Sequence, residues 1–144
     1  MNQIAILYPV FVQVLLTFAV AAMMGMARSR AIPSLRKPGS SDLALGPVTW
    51  PDEAAKAAAN YHNLYELPVL FYAVVAFALI AKGADLLMVI LAWLFVLSRI
   101  VHTVIHVGPN RIAMRSPVFA AGFVILALMW IKLFLHVVTR GIVV

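Results

Sequence analysis

From position 4 to position 27 the chain carries no charged side chain, and Arg28, Ser29 and Arg30 end the stretch. That run exceeds the roughly 20 residues a helix needs to cross the hydrocarbon core of a bilayer. A secretory signal has a basic start and a shorter apolar core, whereas Met1, Asn2 and Gln3 carry no positive charge. The pattern predicts a retained transmembrane helix over 4–27 and not a signal cleaved near Ala19, Val20 and Ala21. From 28 to 53 Pro33, Pro38, Gly39, Gly46, Pro47 and Pro51 alternate with Arg28, Arg30, Arg36, Lys37, Asp42, Asp52 and Glu53. Proline and glycine at that density predict a polar loop, with Trp50 an interfacial anchor before the next span.

The second apolar stretch, 54–81, is alanine-rich and contains Glu66 and Pro68. Lys82, Gly83, Ala84 and Asp85 form a tight polar turn, and Asp85 is suited to cap the helix that follows. The third stretch, 86–107, carries Ser98, Arg99, His102, Thr103 and His106. Gly108, Pro109, Asn110 and Arg111 break it, and Arg115, Ser116 and Pro117 open a fourth over 117–139, where a proline fits the first turn.

Composition turns four apolar stretches into a fold class. Of 144 residues 65% are hydrophobic and 11% charged, against roughly 45–50% and about 25% in a soluble domain. So few charges cannot cover a soluble surface. The expectation is an all-α integral membrane protein, a single domain over 1–144 forming a four-helix transmembrane bundle. The absence of cysteine excludes disulfides, thiolate metal sites and a cysteine nucleophile. The net charge of +6 does not point to nucleic acid, because the basic residues flank the spans. Arg28, Arg30, Arg36, Lys37 and Lys56 follow the first span and Arg111 and Arg115 the third, while the other side holds Lys82 and Arg140, with Lys132 nearby. Positive residues collect on the cytoplasmic side. With an even number of spans, both termini are therefore expected in the periplasm of a bacterial inner membrane.

Ionisable groups at membrane depth cost about 2.5–3.5 kcal/mol even on lenient scales and are functional candidates by default. Asn63 and Glu66, three apart, share one face of the second span. Arg99, His102 and His106 make one stripe on the third. Glu66 lies roughly 15 Å beyond Lys56 and Arg99 roughly 12 Å before Val107, so the two are expected to pair, directly or through a ligand. That pair could equally be a structural one that fixes helix packing. Arg115 at the start of the fourth span, beside unpaired helix N–H groups, would make an anion site with Arg111 and Ser116, unless these arginines touch only lipid phosphates. His102 and His106 have the spacing of metal ligands, but the third could come only from Glu66 or His62, and no metal is expected. Lys132, His136 and Arg140 are expected to snorkel to the headgroups, and Met23, Met24 and Met26 to fill packing or face lipid.

Two segments carry a resemblance. Asn63, Leu64, Tyr65 and Glu66, followed by Pro68, form an Asn-x-x-Glu pattern with a nearby proline. Arg99, His102, Thr103, His106, Arg111, Arg115 and Ser116 follow with fixed, ungapped spacing. This chain resembles the MAPEG family, the membrane-associated proteins of eicosanoid and glutathione metabolism, over about residues 4–139. The second segment is similar to the helix 3 to helix 4 region of the family's prostaglandin E synthase members. The resemblance implies a homotrimer of four-helix subunits, with glutathione as co-substrate between neighbouring subunits in the cytoplasmic half and an apolar electrophile beside it. It places Asn63, Glu66, Arg99, His102, Arg115 and Ser116 on glutathione-binding positions, with His62, His106 and Arg111 adjoining. Arg115 matches the arginine that stabilises the glutathione thiolate, and Ser116 accompanies it in the catalytic role.

The chain also departs from that pattern. Ala59 stands where the animal enzymes commonly have arginine, and His62 where the prostaglandin synthase has another. His106 and Phe119 replace two of its tyrosines. A bidentate guanidinium is not replaced by alanine or histidine, so the grip on glutathione carboxylates is expected to be weaker. The function implied is a glutathione-dependent membrane transferase or peroxidase acting on electrophilic lipids or apolar xenobiotics. The alternative is a non-catalytic lipid-binding or accessory membrane subunit on the same scaffold, since the fold alone does not set the activity.

Overall fold

The computed structural model describes residues 3–35 and 48–141. A short 3-10 turn, Gln3–Ile6, leads into α1 (Leu7–Leu35), and α2 (Asp52–Ile80), α3 (Leu86–Val107) and α4 (Ile112–Gly141) follow. All four helices are long and apolar enough to cross a membrane. The third span matches the expected 86–107, because Asp85 caps its start and Gly108 ends it. The outer helices run further than the hydrophobic pattern. α1 passes through Arg28 and Arg30 and contains Pro33, and α4 begins five residues before Pro117. Charged residues leave the hydrocarbon layer without leaving a helix, so the polar boundary marks the membrane surface and not the helix end. Arg36, Lys37 and Asp42 of the expected loop lie outside the described residues.

The helices meet along a core of Ile6, Phe71, Val74, Ala78, Met88, Ala92, Phe95, Val96, Leu126 and Met129. Phe71 and Phe95 stack there with centroids 4.7 Å apart, joining α2 to α3. The outward faces stay apolar: Tyr8, Phe11, Leu15 and Phe18 on α1 and Phe123, Ile131, Phe134 and Leu135 on α4 are exposed. Lipid tails solvate such rows as well as a protein core does. Trp50 lies under the Arg28 guanidinium at 5.0 Å, within the charged end of the bundle.

Lys132 and His136 of α4 reach the polar α2–α3 turn. Lys132 Nζ donates to Asp85 Oδ2 at 2.7 Å, and His136 Nε2 sits 3.1 Å from the Ala81 carbonyl. The turn lies against α4 and offers these side chains their acceptors. A Cβ on Gly83 would meet the His136 ring at 2.9 Å, so glycine permits this approach.

Asp85 also accepts from the Met88 N–H at 3.0 Å. Partial burial pushes its carboxyl up, but the bonds from Lys132 and Met88 outweigh that and hold it below its ordinary value. A carboxylate of lowered pKa contributes stability above its unfolded value, and the contribution is lost as pH falls through the folded value. Thermal unfolding in detergent should thus show an acid-side loss that Asp85→Asn lacks. The effect should be about 1 kcal/mol or less, since Asp85 is 58% exposed.

Candidate functional site

At the end of the bundle that carries Arg111 and Arg115, α2, α3 and α4 enclose a cavity of about 270 Å³ lined by Asn63, Glu66, His102, Arg115, Ser116 and Phe119. Five of these six are residues that the motifs single out. A larger cavity, about 480 Å³, lies between α1, α2 and the end of α3, lined by Met23, Met26, Arg30, Glu53 and Lys56 among others. None of the motif residues lines it, and the chemistry favours the smaller one.

The ring of His106 joins three elements. Its Nδ1 lies 3.3 Å from Asn63 Nδ2 on α2, and its Nε2 lies 3.1 Å from Arg115 Nη1 on α4. A neutral imidazole has one acceptor nitrogen, and a guanidinium can only donate. Arg115 therefore donates to Nε2 and the ring proton resides on Nδ1. That proton is satisfied when the Asn63 carboxamide turns its oxygen toward the ring. His102 stands edge-on to His106, with centroids 5.6 Å apart, and both rings are buried.

Arg115 has a second acceptor that the motif reading does not contain: Asn110 Oδ1, at 2.9 Å. Asn110 sits in the turn between α3 and α4 at φ 48°, a left-handed conformation that asparagine tolerates. Asparagine following Gly108 and Pro109 is a sequence signal for such a turn residue, but not for the contact it makes. The anion site also changes in detail. Because α4 starts at Ile112, the N–H groups of Met114 and Arg115 already donate to the Arg111 carbonyl, both at 3.0 Å. Charge near Arg115 would thus be held by its side chain and not by its own N–H.

The expected direct pairing of Glu66 with Arg99 is absent. The Asn63–His106 contact sets the register of these antiparallel helices. Glu66 lies three residues inward from Asn63, while Arg99 lies seven inward from His106. The offset is four residues, or roughly 6 Å at 1.5 Å per residue. Arg99 instead turns toward α4, where Nη2 donates to the Val118 and Phe119 carbonyls, each at 3.4 Å, and Nε to Ser98 Oγ at 3.3 Å. The guanidinium lies between the Phe95 and Phe119 rings at 5.5 and 5.2 Å, and its Nη1 has no partner. Glu66 is exposed and lines the cavity without an ion pair among the described residues. His62 and Arg111 are exposed and do not line it. Among the described residues no group of three His, Asp or Glu is placed to hold a metal ion.

The site thus combines a directed guanidinium, a hydroxyl, a carboxylate, a carboxamide and an imidazole around one opening, with Phe119 as its apolar wall. A model of the MAPEG family matches residues 6–135 of the chain. No curated protein and no solved structure matches it.

Proposed function

The chain belongs to the MAPEG family, and from that premise we propose a glutathione-dependent membrane transferase or peroxidase acting on electrophilic lipids or apolar xenobiotics. Membership and four apolar helices together make it a multi-pass integral membrane protein. The observation that carries the reading is the cavity itself, where Arg115 and Ser116 face Asn63, Glu66 and His102.

These residues fit a tripeptide thiol that has one ammonium and two carboxylates. Glu66, with no ion pair among the described residues, complements the ammonium. His102 and Asn63 offer polar contacts for the peptide, and Arg115 offers the cation. The chain has no cysteine, so bound glutathione supplies the thiolate that attacks the electrophile, whose leaving group departs with the bonding electrons. Arg115 lowers the cost of that thiolate, because a nearby cation brings a thiol down from about 8.5. It cannot act as the base, so the proton passes to water at the open side of the cavity. Ser116 donates a second hydrogen bond to the sulfur, and Phe119 keeps the electrophile's side apolar.

A cavity of about 270 Å³ lies below the roughly 300–1,000 Å³ common for ligand sites. In the proposal a neighbouring subunit completes it, giving a homotrimer that also shields the polar faces from lipid. The arginine-bearing end faces the cytoplasm and both termini the periplasm of a bacterial-type inner membrane, which the positive residues at that end support.

Native mass spectrometry of detergent-purified protein with glutathione, read beside ultraviolet thiolate absorbance, tests the reading. The expected result is a trimer that retains glutathione and gives a thiolate signal at millimolar concentration. Monomers with no thiolate would overturn it in favour of a lipid-binding scaffold.

A further inference from the structure

We infer that Asn110 is a positioning residue for Arg115: its side-chain oxygen aims the guanidinium into the cavity while leaving its charge uncancelled. The inference rests on the glutathione reading above and adds a residue that lies outside the cavity wall.

Arg115 Nη1 carries two hydrogens and meets two acceptors, Asn110 Oδ1 at 2.9 Å and His106 Nε2 at 3.1 Å. Both hydrogens are thereby committed to the α3–α4 side. Nη2 and Nε are left for whatever occupies the cavity that Arg115 lines. One acceptor alone would leave the fork free to swing about that bond. Two acceptors on one nitrogen, drawn from different places in the chain, fix its direction.

The placement of Asn110 is itself determined. Its N–H donates to the Ile105 carbonyl at 2.8 Å, and the Gly108 N–H donates to that of Val104 at 3.0 Å. These bonds wrap the end of α3 and bring Asn110 to φ 48°. Few residues accept that backbone, chiefly glycine, asparagine and aspartate. Glycine would supply no acceptor. Aspartate would supply one together with a negative charge beside the guanidinium, which would then stabilise an anion less. Asparagine alone of the three holds the fork and spares the charge.

The test is a pH titration of thiolate absorbance on the full protein at saturating glutathione, for wild type, Asn110→Gly and Asn110→Asp. Glycine keeps the backbone and removes the acceptor, and aspartate keeps the acceptor and adds the charge. Each is expected to raise the pH midpoint of thiolate formation, by about one unit or more for aspartate, since a single neighbouring charge moves a pKa by 1–3 units. At neutral pH that is roughly a tenfold loss of thiolate. Unfolding temperature alone would report a structural role, whereas this midpoint reports the field at the sulfur. If Asn110→Gly unfolds, Asn110→Asp still gives the answer. Either folded variant titrating like wild type overturns the inference and leaves the glutathione reading intact. A wild type that forms no thiolate overturns both.

Discussion

Gly122→Ala is expected to unfold at a markedly lower temperature than wild type in detergent micelles. A Cβ at this position would press on Arg99 Nη2, and would lie 2.6 Å from Ser98 Oγ and 2.9 Å from Arg99 Cζ. A flexible side chain normally moves away from such a contact. Arg99 has little room to do so, being 1% exposed and held between two phenyl rings with its Nη2 on two α4 carbonyls. Overpacking typically costs about 1–3 kcal/mol, and displacing the guanidinium would strip hydrogen bonds from a buried cation in addition. The suppressor is part of the prediction. Arg99→Met combined with Gly122→Ala removes both the clash and the buried charge, and should recover wild-type stability or exceed it, as apolar replacements of buried ions often do. Gly122→Ala unfolding at the wild-type temperature would mean that Arg99 does not lie against α4.

The same residues separate what the sequence makes legible from what it does not. Four spans and the Asp85 cap follow from periodicity and capping chemistry, because each is local or repeats along one helix. Asn63, Glu66, His102, Arg115 and Ser116, in contrast, come from three helices, and only the family resemblance implies that they share a site. The partner of Arg99 does not follow. Counting residues from the ends of two helices carries an error of about a turn, and a turn is enough to separate Glu66 from Arg99. Gly122 looks like any glycine in an apolar helix until the guanidinium beside it is placed. Asn110 is legible as a turn residue, but the direction of its side chain depends on where α4 begins, and Pro117 suggests a start five residues too late. The partners of Lys132 and His136 are hidden for a related reason. Their place near the end of the fourth span is readable, whereas the α2–α3 turn that offers them partners is a tertiary fact.

Under the proposed function, Arg115→Ala is expected to abolish the absorbance of a bound glutathione thiolate while leaving the proposed trimer assembled. The side chain is half-buried and its bonds run to His106 and Asn110, so its removal loosens the α3–α4 turn without opening the core. Arg115→Lys should retain part of the signal. The charge persists, but a single ammonium cannot satisfy Asn110 and His106 and still present donors to the sulfur as a planar fork does. Removing one dominant electrostatic donor typically costs about 10²–10³ in rate, and turnover of an electrophilic substrate by Arg115→Ala should fall by that order. Glu66→Gln is the contrasting variant. Glu66 lines the cavity with no cation of its own among the described residues, so neutralising it should weaken glutathione binding while leaving the ionisation of whatever thiol does bind. The two substitutions should therefore separate affinity from ionisation: Glu66→Gln shifts the glutathione concentration needed, Arg115→Ala the pH needed. If Arg115 touches only lipid phosphates, both of its variants will be silent in every thiol assay. Full thiol chemistry in Arg115→Ala would remove its catalytic role, whatever the fold.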